Sequence, residues 1–256
     1  MSLYLPDKKA FFIHIQRTGG GWVDNTTRNT LKLKAMRTVG LCPHTIQYNH
    51  RPAGTFCLDK NREYQTKEFS KLVFDFLWSQ VRHPVEYYKS VWGWLIIQKP
   101  HMLNRIKMRW TWDSLMRPAQ LLHEDFNVWV ERMLEDQGAW VTRLFWTFLG
   151  PPGAEFCQYI GRTETLKEDY IRVMNMLGYA ITLEQVDGAP PVHQSRIKRP
   201  DIYWRDDLLA RVLYEERLAV ARWYGTDTKD KRLYSYADPN NRRGNRALHK
   251  NSFQAV

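Results

Sequence analysis

The chain has 256 residues, 43% of them hydrophobic and 14% aromatic, with 11 Trp and a formal net charge of +11. Such a content of large apolar side chains excludes a disordered chain and suffices for a buried core, and the surplus of cations points to an anionic partner. Three cysteines (Cys42, Cys57, Cys157) are too scattered for a disulfide framework, no stretch approaches 18 uninterrupted apolar residues, and the opening MSLYLPDKKAFFIHIQ lacks the order of a secretory signal, so a soluble cytoplasmic protein with no membrane span is the expectation.

The first clear element is the apolar run Ala10-Phe-Phe-Ile-His-Ile15, which reads as a buried strand. It meets the turn Gln16-Arg-Thr-Gly-Gly-Gly21, and helical spacing follows from Trp22 to about Met36. Strand, Gly-rich turn and helix open an α/β nucleotide-binding unit. Residues 38–66, with Pro43, Pro52 and Gly54, read as irregular. A second apolar run, Leu72 to Trp78, leads through Ser79-Gln-Val81 into Arg82-His-Pro84 and reads as a parallel core strand. Pro84 fits the first turn of a helix whose inner side carries Val85, Tyr88, Val91, Trp92 and Leu95.

Residues 98–118 form a basic, aromatic insertion. Helices are expected from about Glu124 to Glu135 and from about Ala139 to Phe148. Phe156 to Ile160 reads as a third strand, and Thr163 is placed to cap a helix over 164–177 that Gly178 stops. A polar connection over 187–203 precedes a long helix from about Trp204 to Tyr224, and the residues beyond Gly225 read as loop and a mobile basic tail. The expected architecture is a single α/β domain over 1–256, with a core over 10–236 and a tail over 237–256.

Two segments carry chemistry. In Phe12-Ile-His-Ile-Gln-Arg-Thr-Gly-Gly-Gly-Trp22, glycines let backbone N–H groups converge on a phosphate-sized anion and Arg17 adds a full charge. No Gly-Lys-Ser/Thr closes this loop, so it is not a Walker A motif, and by pattern alone a Gly triplet after a strand is more often a tight turn. His14 is either a hydrogen-bonded core histidine or a base at a strand end, where α/β proteins place their chemistry. In Val81-Arg-His-Pro-Val-Glu-Tyr-Tyr-Lys-Ser90, Arg82 and Ser90 stand eight residues apart and together suit a second phosphate.

These two segments, FFIHIQRTGGGW and VRHPVEYYKSVW, together resemble the sulfotransferases that use 3′-phosphoadenosine 5′-phosphosulfate (PAPS), and most of all the heparan sulfate 6-O and uronyl 2-O type. Ile160-Gly-Arg-Thr-Glu164 before a helix, and a late helix leading into Tyr234-Ser-Tyr236, are weaker echoes. The resemblance implies a P-loop-like three-layer fold with a central parallel sheet flanked by helices. It implies that Arg17, Thr18, Gly19, Gly20, Gly21 and Trp22 surround the 5′-phosphosulfate, and that Arg82 and Ser90 hold the 3′-phosphate. It also implies that His14 is the catalytic base, with Arg17 acting on the leaving phosphate, and that no metal takes part. Where the family usually has Lys this chain has Arg17, which keeps the charge in a bulkier group; where it usually has a hydroxyl residue, this chain has Gly21.

The expected partners are a nucleotide donor and a carbohydrate acceptor, anionic or neutral. A small-molecule kinase of P-loop-like fold is disfavoured by the lack of Gly-Lys-Ser/Thr. A non-catalytic polyanion- or RNA-binding protein explains the charge but not the paired phosphate motifs. Arg105 to Trp112, with cations among Trp rings, suits single-stranded nucleic acid or an anionic glycan as well as it suits an amphipathic helix. Arg242-Arg-Gly244 faintly resembles a basic loop that other sulfotransferases lay over the 3′-phosphate. Cys42, His44, His50 and Cys57 match no standard zinc spacing, and no Gly-x-Ser-x-Gly elbow is present.

Overall fold

The computed structural model describes residues 2–39, 55–58, 64–67, 74–105, 113–150, 153, 155, 157–189 and 202–225. By proximity in space, the chain divides into two compact units: Met1–Arg82 with Phe145–Ser195, and His83–Leu144 with Arg196–Val256.

The first unit is built on a mixed seven-stranded sheet. Its strands are β1 (Ser2–Leu5), β2 (Ala10–Ile13), β3 (Met36–Val39), β4 (Thr55–Leu58), β5 (Tyr64–Lys67), β6 (Phe76–Val81) and β7 (Tyr159–Arg162), in the order β5-β4-β3-β1-β2-β6-β7. Only β2, β6 and β7 run parallel to one another; Ala10 lies opposite Phe76 and Ile13 opposite Ser79, and Trp78 opposite Tyr159. The pairs β1–β2, β1–β3, β3–β4 and β4–β5 are antiparallel. The parallel arrangement expected of the central sheet therefore holds for these three strands of the seven, and the sheet as a whole is mixed. β1 turns back into β2 through a single 3₁₀ turn, Pro6–Lys8, and Lys9 at φ 45° completes the reversal.

Several boundaries differ from expectation. The helix after the Gly-rich turn is short: α1 (Gly20–Asn25) passes into a π-helical turn over Thr26–Thr30, and Met36 already belongs to β3. The run of Thr and Asn in 25–30 has low helix propensity, and the Thr27 hydroxyl bonds back to the Val23 carbonyl at 2.7 Å, which favours a loosened turn. Three β-strands fall within or beside the segment read as irregular: β3 pairs with β1, β4 with β3 and β5 with β4, and this backbone pairing outweighs an undistinguished residue pattern.

One face of the sheet packs on α1 and on α6 (Leu166–Met176), the helix that follows β7. Phe12 and Trp78 meet at 4.4 Å between ring centroids and join Leu3, Leu5, Val23, Tyr170, Val173 and Met174 in one core. Gly178 ends this helix at φ 79°, as expected, and α7 (Leu183–Asp187) follows with a capping box from Thr182 and Gln185. Thr163 does not cap: its hydroxyl donates to the Val81 carbonyl at 3.0 Å, tying the end of β7 to the end of β6.

The second unit is helical. α2 (Pro84–Arg105) starts at Pro84 and buries the expected Val85, Tyr88, Val91, Trp92 and Leu95. Next come α3 (Asp113–Gln120), α4 (Phe126–Gln137), which Asp125 caps, and α5 (Trp140–Leu149), whose last five residues belong to the first unit. The long C-terminal helix is instead two, α8 (Asp206–Glu215) and α9 (Arg217–Trp223), broken at Glu216. Tyr88, Trp129 and Trp140 stand edge-to-face at 5.3–6.4 Å around the unit's core. No helix among the described residues is long and apolar enough to cross a membrane.

Candidate anion-binding site

The site lies in the first unit, where the parallel strands β2 and β6 end side by side. Side chains two residues apart on a strand share a face. His14 therefore follows Phe12, with the rings stacked at 6.1 Å, and Gln80 follows Trp78. On β7 the residue in register with Gln80 is Gly161, and a Cβ there would come within 2.9 Å of Asp169 Cβ. Asp169 needs that approach: it accepts bonds from Tyr159 Oη (2.5 Å), Arg162 N (2.7 Å) and Thr165 Oγ1 (2.6 Å), fixing the entry to α6 beside the site.

The Gly-rich loop crosses this face. Arg17 has φ 66° and Gly19 φ 91°, so the chain reverses twice within three residues before α1 begins. The Thr18 side chain is fully buried and its hydroxyl donates to the Ile15 carbonyl at 2.8 Å, which pins the turn to the end of β2. Gly20 is required by close approach: a Cβ on it would fall inside the His14 imidazole. A Cβ on Gly19 would lie 2.9 Å from Leu166 Cδ2 and 3.3 Å from Gln80 Oε1.

Among the expected site residues, the structure brings His14, the expected base, together with Arg17–Trp22 and Arg82 of the expected phosphate ligands. Arg82 follows β6 and its Nη1 donates to the Arg17 carbonyl at 3.3 Å, so the two sequence segments meet at the loop. Trp22 turns its ring to Tyr170 (5.4 Å, edge-to-face), and its backbone N–H donates to the Gly19 carbonyl (2.9 Å) in the first turn of α1. Ser90 is buried in α2, in the second unit.

Gln80 is the residue that sequence reasoning missed. It is 1% exposed, and neither its Oε1 nor its Nε2 has a hydrogen-bond partner among the described residues. Leaving such a group unpaired costs about 1–3 kcal/mol, so its retention calls for a reason. The available signal was a lone carboxamide inside the apolar strand, two residues before Arg82.

Other candidates fall away or lie elsewhere. Cys157 is half-buried, and its thiol is pushed up to about 12 by desolvation and by Glu155, which disfavours the thiolate at neutral pH. Cys42, His44 and His50 lie outside the described residues, as do 106–112 of the basic insertion, Tyr234 to Tyr236 and Arg242 to Gly244; Cys57 sits in β4. No family model, curated protein or solved structure matches the chain.

Proposed function

We propose that the chain is a PAPS-dependent sulfotransferase of P-loop-like fold that transfers a sulfuryl group to a hydroxyl, with a carbohydrate as acceptor. One observation carries this reading: the His14 imidazole lies directly against Gly20 of a Gly-rich loop that Arg82 also reaches. A base and an oxyanion-binding loop are thus adjacent, as in-line group transfer requires.

In the proposed reaction the acceptor oxygen attacks sulfur as the bond from sulfur to the bridging phosphate oxygen breaks. His14 takes the acceptor's proton, and the departing electron pair and negative charge stay on the phosphate of 3′-phosphoadenosine 5′-phosphate. Such transfers proceed through loose transition states, so the protein's work is positioning and charge neutralisation. Arg17 and the N–H groups of the loop supply the latter. The sequence resemblance extends the donor site to Arg82 and Ser90 as ligands of the 3′-phosphate.

Calorimetric titration tests this reading. 3′-Phosphoadenosine 5′-phosphate is expected to bind at least about tenfold more tightly than ATP or adenosine 5′-phosphate, since a charge-assisted contact contributes about 1.5–3 kcal/mol. Equal, weak binding of all three would favour a non-catalytic polyanion-binding protein, which the charge of +11 alone would suit.

A further inference from the structure

The carboxamide of Gln80, unpaired at both of its polar atoms among the described residues, is a feature of the first unit that neither the core nor the resemblance explains. Its environment limits the answer. Gln80 stands on the sheet face that carries Phe12, His14 and Trp78, at the C-terminal end of β6. Toward β7 its register partner is Gly161, which offers no side chain. Toward the loop, its Oε1 stands 3.3 Å from the position of a Cβ on Gly19. Ordinary core packing would fill such a place with Leu or Met, which need no partner. A carboxamide differs from these only in having one acceptor and two donor hydrogens to offer.

We infer that Gln80 is a ligand-contact residue that reads the oxyanion held in the Arg17–Gly21 loop. This rests on the proposed donor site. Nε2 donates to a non-bridging oxygen of the nucleotide's 5′-phosphate group, and Oε1 accepts from a backbone N–H of the loop as the loop settles on the ligand. Gln80 thereby contributes at the 5′ end of the donor what Arg82 and Ser90 are proposed to contribute at the 3′ end. The absence of a charge on Gln80 suits a position beside His14: a second cation there would disfavour the imidazolium that forms during turnover.

The test compares the wild type with Gln80→Leu, which keeps the side chain's size, and Gln80→Glu, which sets a like charge against the phosphate. Each is titrated with 3′-phosphoadenosine 5′-phosphate and with adenosine 3′-phosphate, and the thermal midpoint is measured without ligand. Gln80→Leu is expected to lose about tenfold in affinity for the bisphosphate and nothing for the 3′-monophosphate, with a midpoint no lower than wild type. Gln80→Glu is expected to weaken the bisphosphate further still. Unchanged bisphosphate binding by Gln80→Leu, or an equal loss for both ligands, would overturn the inference, as would a lowered midpoint with binding intact, the mark of a purely structural amide. Wild-type protein that bound the bisphosphate no better than the 3′-monophosphate would instead remove the donor-site reading, and the inference with it.

Discussion

Glycine and histidine are locked together at the start of α1. The Gly20–His14 contact leaves no room for a methyl group, so Gly20→Ala must drive the imidazole off the loop. If His14 is the base, that displacement removes general-base assistance, which contributes on the order of 100- to 10,000-fold. Gly20→Ala and His14→Ala are therefore both expected to lower sulfuryl transfer by at least about 100-fold. His14→Ala should still bind 3′-phosphoadenosine 5′-phosphate, as titration would show. Near-normal turnover by His14→Ala would remove the base assignment.

Among the helices, the junction between α8 and α9 carries a buried carboxylate. Glu216 is fully buried, and its carboxylate accepts from Val141 N (2.9 Å), Thr142 N (2.7 Å), Thr142 Oγ1 (2.7 Å) and Tyr88 Oη (3.3 Å). It thus caps the first turn of α5 from a distant segment, a position where a negative charge is favoured. Glu216→Ala would strand these donors and is expected to destabilise the fold by about 3 kcal/mol in chemical denaturation. Burial pushes the Glu216 carboxyl above the usual carboxylate range, although its hydrogen bonds pull it back. The folded protein therefore binds this proton more tightly than the unfolded chain does. Its contribution to stability is fully present below the ordinary carboxylate range and declines as pH rises through the raised folded value. The stability gap between the wild type and Glu216→Gln should accordingly narrow with rising pH across that window; a widening gap would contradict the direction of the shift.

For the whole molecule, the charge of +11 exceeds what the proposed nucleotide donor would use, since that proposal assigns only Arg17 and Arg82 among the cations to it. The remainder fits an anionic glycan acceptor held through long-range attraction, which salt screens beyond about 10 Å at 0.1 M ionic strength. Affinity for heparin is expected to fall by about tenfold or more between roughly 50 and 300 mM salt. Binding of 3′-phosphoadenosine 5′-phosphate should fall less, because a partly buried pair is screened less than an exposed one. Parallel titrations at the two salt concentrations check this, and equal losses for the two ligands would contradict it.

Local pattern alone determined much of what positions the site. The apolar run before Gln16, the Gly cluster, and Pro84 after Arg82 identified two strand ends with their turns, because backbone freedom and apolar continuity are properties of neighbouring residues. The inner face of α2 was legible for the same reason: five residues at helical spacing are all buried. Long-range pairing was not legible. β1, β3, β4 and β5 exist through cross-strand hydrogen bonds that no run of four residues announces, and they make the sheet mixed. Nor could sequence show that Glu216, between two helices, caps a third, or that Gln80 is buried beside Gly19 with no partner among the described residues. Burial and hydrogen-bond satisfaction depend on which distant atoms arrive, and only the tertiary structure decides that.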